Sequence, residues 1–516
     1  MQDLYLGIDA STQSLTAAAI NPQAETVDSV SINFDKDLPE YKTQNGVCSD
    51  GKNPNRVWSY PEMWAEALDA LFEKLAKKTD IGRIKAIGGA GQQHASVWLK
   101  SSDAFKALAN APKGKLADTV KVFLSRRQSP VWLDTSTSAE CAEIENAVGV
   151  QNILLKTGSA QTERFTGAQI RKIAKEEAGI YAATKRIHLN SSFMTSLLCN
   201  EDMTVDFCDA AGMNLLNVGG GNWDEEMLRA TANGLIAKLP KVAKAMSVAG
   251  KIGSYFCRHY GFRPDTRVVA FTGDNPSSLV GCGASSGGNA VISLGTSDTL
   301  FCANKNYAPI EGAHVFGNPA GKYMNLTCFR NGALAREKLA GQLGVGWDIF
   351  DNAFENYSPD GLNDIILPFY LDEISPKIKS GGIKVFIGKS LSATETIRLF
   401  IEGQIFNMKL QAESMKAEIG NILITGGASK SGAMAQCISN VFNGKIYILK
   451  NASNSSALGG AMIAARACGG IPLAELENRL LQRKLVAVPN KNAAAFYREK
   501  IKIFAQKRQN LISSIT

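Results

Sequence analysis

An α/β fold built from two related halves is predicted by three features of this sequence. The chain has 516 residues, more than one hydrophobic core usually serves, so two large domains or more are expected. An apolar strand running into a Ser/Thr turn occurs twice, as LGIDASTQS from Leu6 and as SLGTSDT from Ser293. Short apolar strands elsewhere end in glycines or acids, as at Gly88-Gly89, Gly273-Asp274 and Gly426-Gly427, and a helical pattern follows the last of these.

Composition sets the class. Hydrophobic residues make up 45% and charged residues 20%, the balance of a globular protein. The formal charge is +8, but Lys and Arg are spread along the chain with no basic block interleaved with aromatics. That gives weak support to nucleic-acid binding; a small anionic ligand suits the charge just as well, and a solvated basic surface accounts for it better than either. Ten cysteines lie at irregular spacings without C-x-x-C, so zinc sites and a disulfide framework are not expected, and reduced thiols are. MQDLYLGIDAST has neither a basic n-region nor a long apolar h-region, and nowhere do about 18 apolar residues run together. The expectation is a cytoplasmic protein with no membrane and no nucleic-acid partner; a homodimer is compatible with it.

In order along the chain, Leu4–Asp9, Leu15–Ile20 and Thr26–Ile32 read as strands, and the turn Ala10-Ser11-Thr12-Gln13 joins the first two. With Asp9 before it, that turn offers an acid, hydroxyls and an amide, a plausible face for phosphate and Mg²⁺. Ser59 and Glu62 read as a capping box around Pro61, opening a helix whose Trp64, Leu68, Leu71, Phe72 and Leu75 form a buried stripe. The strand Ile84–Ile87 runs into Gly88-Gly89-Ala90-Gly91-Gln92-Gln93-His94, a mouth where backbone can approach a ligand. Its spacing fails the dinucleotide pattern G-x-G-x-x-G. Val131–Asp134 reads as a strand ending in an acid, and Thr137 with Glu140 as a second capping box. Arg164 falls in a loop before a helix, where it can hold a polyol oxygen or pair with an acid. The domain junction is expected at Pro240–Gly253 or in the loop Gly261–Pro264, giving domains 1–262 and 263–516.

The second half opens with the strand Val268–Phe271, which ends at Thr272-Gly273 before Asp274, Asn275 and Pro276. A carboxylate and an amide at a strand end can take a hydroxyl proton and hold a neighbouring oxygen, although the same tetrapeptide is common in turns. Strand Ala290–Leu294 then breaks at Gly295-Thr296-Ser297, whose N–H and hydroxyl groups suit phosphate oxygens. Two such hairpins, one per half, point to an internal duplication that grips a nucleotide. Helices are predicted at 331–339 and 396–414. Between them Gly382–Ser390 imitates a phosphate loop but has five residues between its glycines where four are needed. Strand Ile422–Thr425 ends in Gly426-Gly427-Ala428-Ser429-Lys430, bare backbone against which a base or ribose can pack. A strand at 445–449, a small-residue helix at 456–466 and a basic amphipathic surface helix at 492–512 complete the chain.

The runs FDKDLPEYKTQNGV, GAGQQHAS, PVWLDTST, ERFTGAQI, GMNLL, VVAFTGDNPSSL, SLGTSDTLF and TGGAS stand colinear over residues 4–466. Together they resemble the FGGY family of carbohydrate kinases, and within it the eukaryotic-type xylulokinases. The resemblance implies two duplicated actin/hexokinase-like (ribonuclease H-like) domains with an interdomain active-site cleft, ATP and Mg²⁺ as cofactors, and phosphorylation of the 5-hydroxyl of D-xylulose. It implies Asp274 as the catalytic base and Asn275, His94 and Arg164 as sugar ligands with it. Asp9 and Asp274 would position Mg²⁺, mostly through water. Thr12, Gly295 and Thr296 would face the ATP phosphates, while Gly426, Gly427, Lys430 and Trp347 would border the adenosine. A ribulose, gluconate or polyol kinase is the near alternative, and an actin/Hsp70-like ATPase without a sugar site the distant one. Gln13, Thr16, Gln169 and Asp298 depart from the wider family.

Overall fold

The computed structural model describes residues 2–354, 361–379, 384–386, 390–449 and 454–515. Packing divides the chain into two compact units. The first comprises Met1–Gly283, Phe316–Lys322 and Ser453–Leu481, and the second Ala284–Val315, Tyr323–Ala452 and Gln482–Thr516. The first unit thus continues beyond the expected break after residue 262. It takes in Asp274 and, from far along the chain, the helix Ser455–Gly469.

The reason lies in the sheet of the first unit. Its strands are β1 (Leu4–Ala10), β2 (Ser14–Ile20), β3 (Thr26–Asn33), β4 (Ile84–Gly91), β5 (Val248–Lys251), β6 (Arg267–Val269) and β7 (Thr272–Gly273). The order is β5-β6-β4-β1-β2-β3, with β7 also on β4. β1, β2 and β3 form antiparallel hairpins, whereas β4, β6 and β7 run parallel to β1. Because β6 and β7 complete this sheet, Asp274 folds with the N-terminal residues. β1 is apolar on both faces and covered on both, as parallel pairing requires. The helix Ser455–Gly469 lies on β1 and β4 so closely that a Cβ on Gly7 would stand 1.8 Å from the Ala457 carbonyl oxygen. Small residues at 457–465 make that approach possible. The opposite side carries the helix Pro61–Ala76, whose predicted stripe of Trp64, Leu68, Leu71, Phe72 and Leu75 is fully buried.

The second unit repeats the plan. Its strands are β8 (Gly288–Leu294), β9 (Asp298–Asn304), β10 (Ala313–Gly317), β11 (Tyr323–Phe329), β12 (Ile419–Gly426), β13 (Lys445–Leu449) and β14 (Arg483–Ala487). The order β10-β11-β9-β8-β12-β13-β14 places an antiparallel meander beside parallel strands, closed by one antiparallel edge strand. Without β10 it reads strand for strand as β3-β2-β1-β4-β6-β5 does, which is the duplication expected from the two hairpins.

Several local expectations are corrected. Ser59 does not cap its helix: it is paired in the strand Val57–Ser59 and its hydroxyl donates to the Gly46 carbonyl. Thr137 donates to the Glu163 carbonyl and Glu140 pairs with Lys175, so no box forms there. A capping box does form at Ser392 and Glu395. Residues 131–134 are a turn, and Asp134 is buried as an acceptor for Val57 N–H, Ser136 and Gln169. The C-terminal helix, Lys491–Ile515, is not a surface accessory. Its Lys500 is fully buried, 2.8 Å from Glu402, which also accepts from the Tyr497 hydroxyl. Of the phosphate-loop imitation, residues 382–383 and 387–389 lie outside the described residues, and Lys384–Phe386 is a strand.

Candidate functional site

Three parallel strands of the first unit end side by side. Asp9 of β1 and Thr272 of β7 both lie opposite Ala90 of β4, from its two sides. Gly88–Gly91, expected as a loop, is the last part of β4 itself. The chain therefore delivers Asp9, Gln92-Gln93-His94 and Asp274 to the carboxyl ends of neighbouring strands, where α/β folds bind ligands.

Asp274 is the first residue of the helix Asp274–Gly281, where the helix dipole favours a carboxylate. Its Oδ1 accepts from the Asn275 backbone N–H at 2.8 Å and side-chain Nδ2 at 3.1 Å. The same Nδ2 donates to Gln93 Oε1 at 2.8 Å. Both hydrogens of the Asn275 amide are thus committed, and its carbonyl oxygen remains as the acceptor it can offer a ligand. Beyond Gln93 stands Asp209, fully buried, which accepts from the Ser191 hydroxyl.

Acidic groups gather here, and among the described residues no Lys or Arg pairs with Asp9, Asp206, Asp209 or Asp274. Burial pushes the Asp274 carboxyl up to about 6, against hydrogen bonds from the backbone of Asn275 and Gln93. Burial, and then the charge of Asp274, push Asp9 up to about 7, with the Ser456 hydroxyl opposing. Asp206 rises to about 6 by burial, and Asp209 well above its ordinary value, also chiefly by burial. Oδ1 of Asp9 is buried without a hydrogen-bond partner of normal geometry. A divalent cation fits such a place. Among the described residues no three His, Cys, Asp or Glu side chains form a metal cage. Magnesium held by one or two carboxylates and its own waters matches that donor set.

His94 turns the chain out of β4 with φ of 71°, a left-handed conformation uncommon for a side-chain-bearing residue. Its Nδ1 faces the Gly212 carbonyl at 2.8 Å. A carbonyl only accepts, so Nδ1 carries hydrogen there. The ring stacks on Phe165, centroids 4.4 Å apart, and Thr166 donates to the His94 carbonyl. Arg164 immediately precedes Phe165, so the two predicted sugar ligands reach the same neighbourhood. Among the described residues no carboxylate pairs with Arg164, and its Nε is buried without a partner. Thr12 lies in the β1–β2 turn and accepts from the Trp132 indole N–H at 2.9 Å.

In the second unit, Leu294 of β8 pairs with Gly426 of β12, so Gly295-Thr296 and Gly426-Gly427 emerge from adjacent parallel strand ends. Lys430 closes a short 3₁₀ turn before the helix Gly432–Phe442. Trp347 stands on neither strand end; it is exposed, with its ring 4.7 Å from that of Phe350.

The departures have structural work. Thr16 is buried and hydrogen-bonds Ser31 across β2 and β3, and Gln169 ties Asp134 to the Glu163 carbonyl. Asp298 is fully buried against Arg336. The sequence reading passed over Ser191, Asp209 and Arg336. Asp209 had one signal, its place three residues after Asp206 in VDFCDAA, where Asp206 accepts from the Cys208 and Asp209 N–H groups.

Residues 127–281 match the N-terminal domain and residues 290–468 the C-terminal domain of the FGGY family of carbohydrate kinases. The chain belongs to that family. It is 38% identical over 488 residues to xylulose kinase 2 of Arabidopsis thaliana, covering 90% of this chain and 87% of that protein. It is 36% identical over 526 residues to the xylulose kinase of Rattus norvegicus, covering 98% and 97%. The crystal structure of a xylulose kinase from Brucella ovis superposes with a TM-score of 0.81 at 21% identity, covering 99% of both chains, which supports the fold. Among the described residues no helix is long and apolar enough to cross a membrane.

Proposed function

We propose that this chain transfers the γ-phosphoryl group of ATP to the 5-hydroxyl of D-xylulose, giving D-xylulose 5-phosphate and ADP. The observation that carries the reading is Asp274, a carboxylate at a helix N-terminus whose proton affinity burial has raised toward neutrality. A base working near neutral pH needs such a value, so that it is ionised before the reaction and still takes a proton during it. Asp274 accepts the proton of the attacking hydroxyl. The carbonyl oxygen of Asn275 accepts from an adjacent sugar hydroxyl, fixing which oxygen faces the base. His94 meets a second hydroxyl and Arg164 donates to a sugar oxygen.

Thr296 and the turn around it face the phosphates, and Gly426, Gly427, Lys430 and Trp347 border the adenosine. Thr12 contributes a phosphate contact. Asp9 and Asp274 would hold Mg²⁺ through water, and the ion would supply charge neutralisation on the phosphates. The site fits that ion because Oδ1 of Asp9 is buried with no hydrogen-bond partner among the described residues. The compartment we assign is the cytoplasm.

The fold leaves the sugar open, since one kinase scaffold serves many acceptors. The near-full-length relatives named above favour the pentulose. ADP release measured with D-xylulose, D-ribulose, gluconate and a polyol, ranked by kcat/KM, tests this. D-xylulose ranks first if the reading is right; a clear preference for another acceptor rejects the substrate and keeps the chemistry.

A further inference from the structure

We propose that Asp298 and Arg336 are positioning residues that set the shape and charge of the turn Gly295–Ser297. The inference rests on the reading of that turn as the phosphate-facing one. Asp298 and Arg336 are 0% and 2% exposed, and they meet as a fork, Nη1 and Nη2 each donating to one carboxylate oxygen at 3.0 Å. Arg336 Nη1 also donates to Gln404 Oε1 at 3.0 Å, and Gln404 donates to the Asn331 carbonyl, so the guanidinium cannot swing away.

The turn is gripped from the same side. The Ala333 N–H, first in the helix Ala333–Leu343, donates to the Gly295 carbonyl at 3.0 Å, and the Leu334 N–H to the Thr296 carbonyl at 3.4 Å. Gly332 allows this approach: a Cβ there would stand 2.7 Å from the Asp298 nitrogen and 2.9 Å from the Thr296 oxygen. The Gly295 N–H is spent on the Asp298 carboxylate. Two carbonyls and one N–H of the turn are therefore engaged within the unit. Thr296 and Ser297 become its donors to phosphate, and Gly295 acts through the shape it gives them. Arg336 has a second duty. A carboxylate left unpaired next to the turn would repel a di- or triphosphate, and the guanidinium cancels it.

The test is binding of ADP and of adenosine to the full chain, with KM for the sugar and melting temperature measured in parallel. Asp298→Asn and Arg336→Met should each lower ADP affinity about tenfold or more while adenosine affinity and sugar KM stay put. Asp298→Asn/Arg336→Met should bind ADP better than Arg336→Met alone, because the unpaired carboxylate is gone. Arg336→Lys keeps the charge without the fork and should fall between wild type and Arg336→Met, which preserves the test if the Met variant does not fold. Equal losses for ADP and adenosine, or none, overturn the proposal. Thr296→Val separates it from the underlying reading. If that variant loses ADP selectively and Asp298→Asn does not, the turn binds phosphate and the positioning role fails. If Thr296→Val leaves the ADP-to-adenosine ratio unchanged, the phosphate reading itself fails.

Discussion

Asp9 and Asp274 stand at the ends of two strands that flank one partner, with Asp9 and Thr272 opposite Ala90 from either side of β4. Burial disfavours ionisation of both carboxylates, and the charge of Asp274 disfavours that of Asp9 further. This arrangement costs stability and is retained at the proposed centre of the chemistry, the pattern expected of a functional site.

Removing one charge should therefore stabilise the fold. Both groups hold a proton more tightly folded than unfolded, so the stability linked to them is complete below about pH 4. It is lost as pH rises through their folded values of about 6 and about 7. Asp9→Asn should raise unfolding free energy at pH 8 by about 1–2 kcal/mol after allowance for partial exposure, with the gain vanishing near pH 4. Denaturant unfolding at the two pH values checks this; equal or lower stability at pH 8 would contradict it.

Activity should carry the opposite dependence. Asp274 works ionised, so kcat/KM for the sugar should fall with unit slope as pH drops through about 6. Asp9, Asp206 and Asp209 share the neighbourhood, so the limb reports an apparent value for the coupled set. A profile flat from pH 8 to 5 would remove Asp274 from the base role.

His94→Ala and Arg164→Gln should act on the sugar alone. The His94 ring is held by Gly212 and Phe165, and among the described residues Arg164 pairs with no carboxylate. KM for the sugar should rise about tenfold or more with KM for ATP unchanged. Parallel increases in both constants would mean that these residues shape the fold rather than the sugar site.

Much of this was readable before the structure because it depends on local pattern. Alternating apolar residues gave β1–β4, helical spacing gave the buried stripe of the helix Pro61–Ala76, and the repeated hairpins gave the duplication. Asp9, His94 and Asp274 could be singled out as candidates because acids and a histidine at strand ends are local signals. What escaped was set by distant partners. Ser59 and Thr137 look like helix caps, yet carbonyls 13 and 26 residues away, outside their helices, take their hydroxyls. Asp274 appears to open a second domain, yet β6 and β7 pair with β4, formed about 180 residues earlier. Asp209 and Arg336 lie where no periodicity marks them, and only tertiary contact with Ser191 and Asp298 gives them a role.

The Lys500–Glu402 pair supplies a control far from the chemistry in sequence. Both side chains are fully buried, and Tyr497 shares the carboxylate. Lys500→Met leaves that charge uncompensated and should cost about 3–5 kcal/mol of stability, with kcat and both KM values unchanged in the folded fraction. A change confined to catalysis would mean the helix Lys491–Ile515 has a role beyond packing.

The decisive measurement is the turnover of Asp274→Asn alongside its affinity for ADP. The substitution keeps the size and the hydrogen bonds of the side chain but removes its capacity to accept a proton. A fall in kcat of about 10³-fold or more with ADP affinity preserved is the expected result. Turnover within about tenfold of the wild type would show that another group takes the proton.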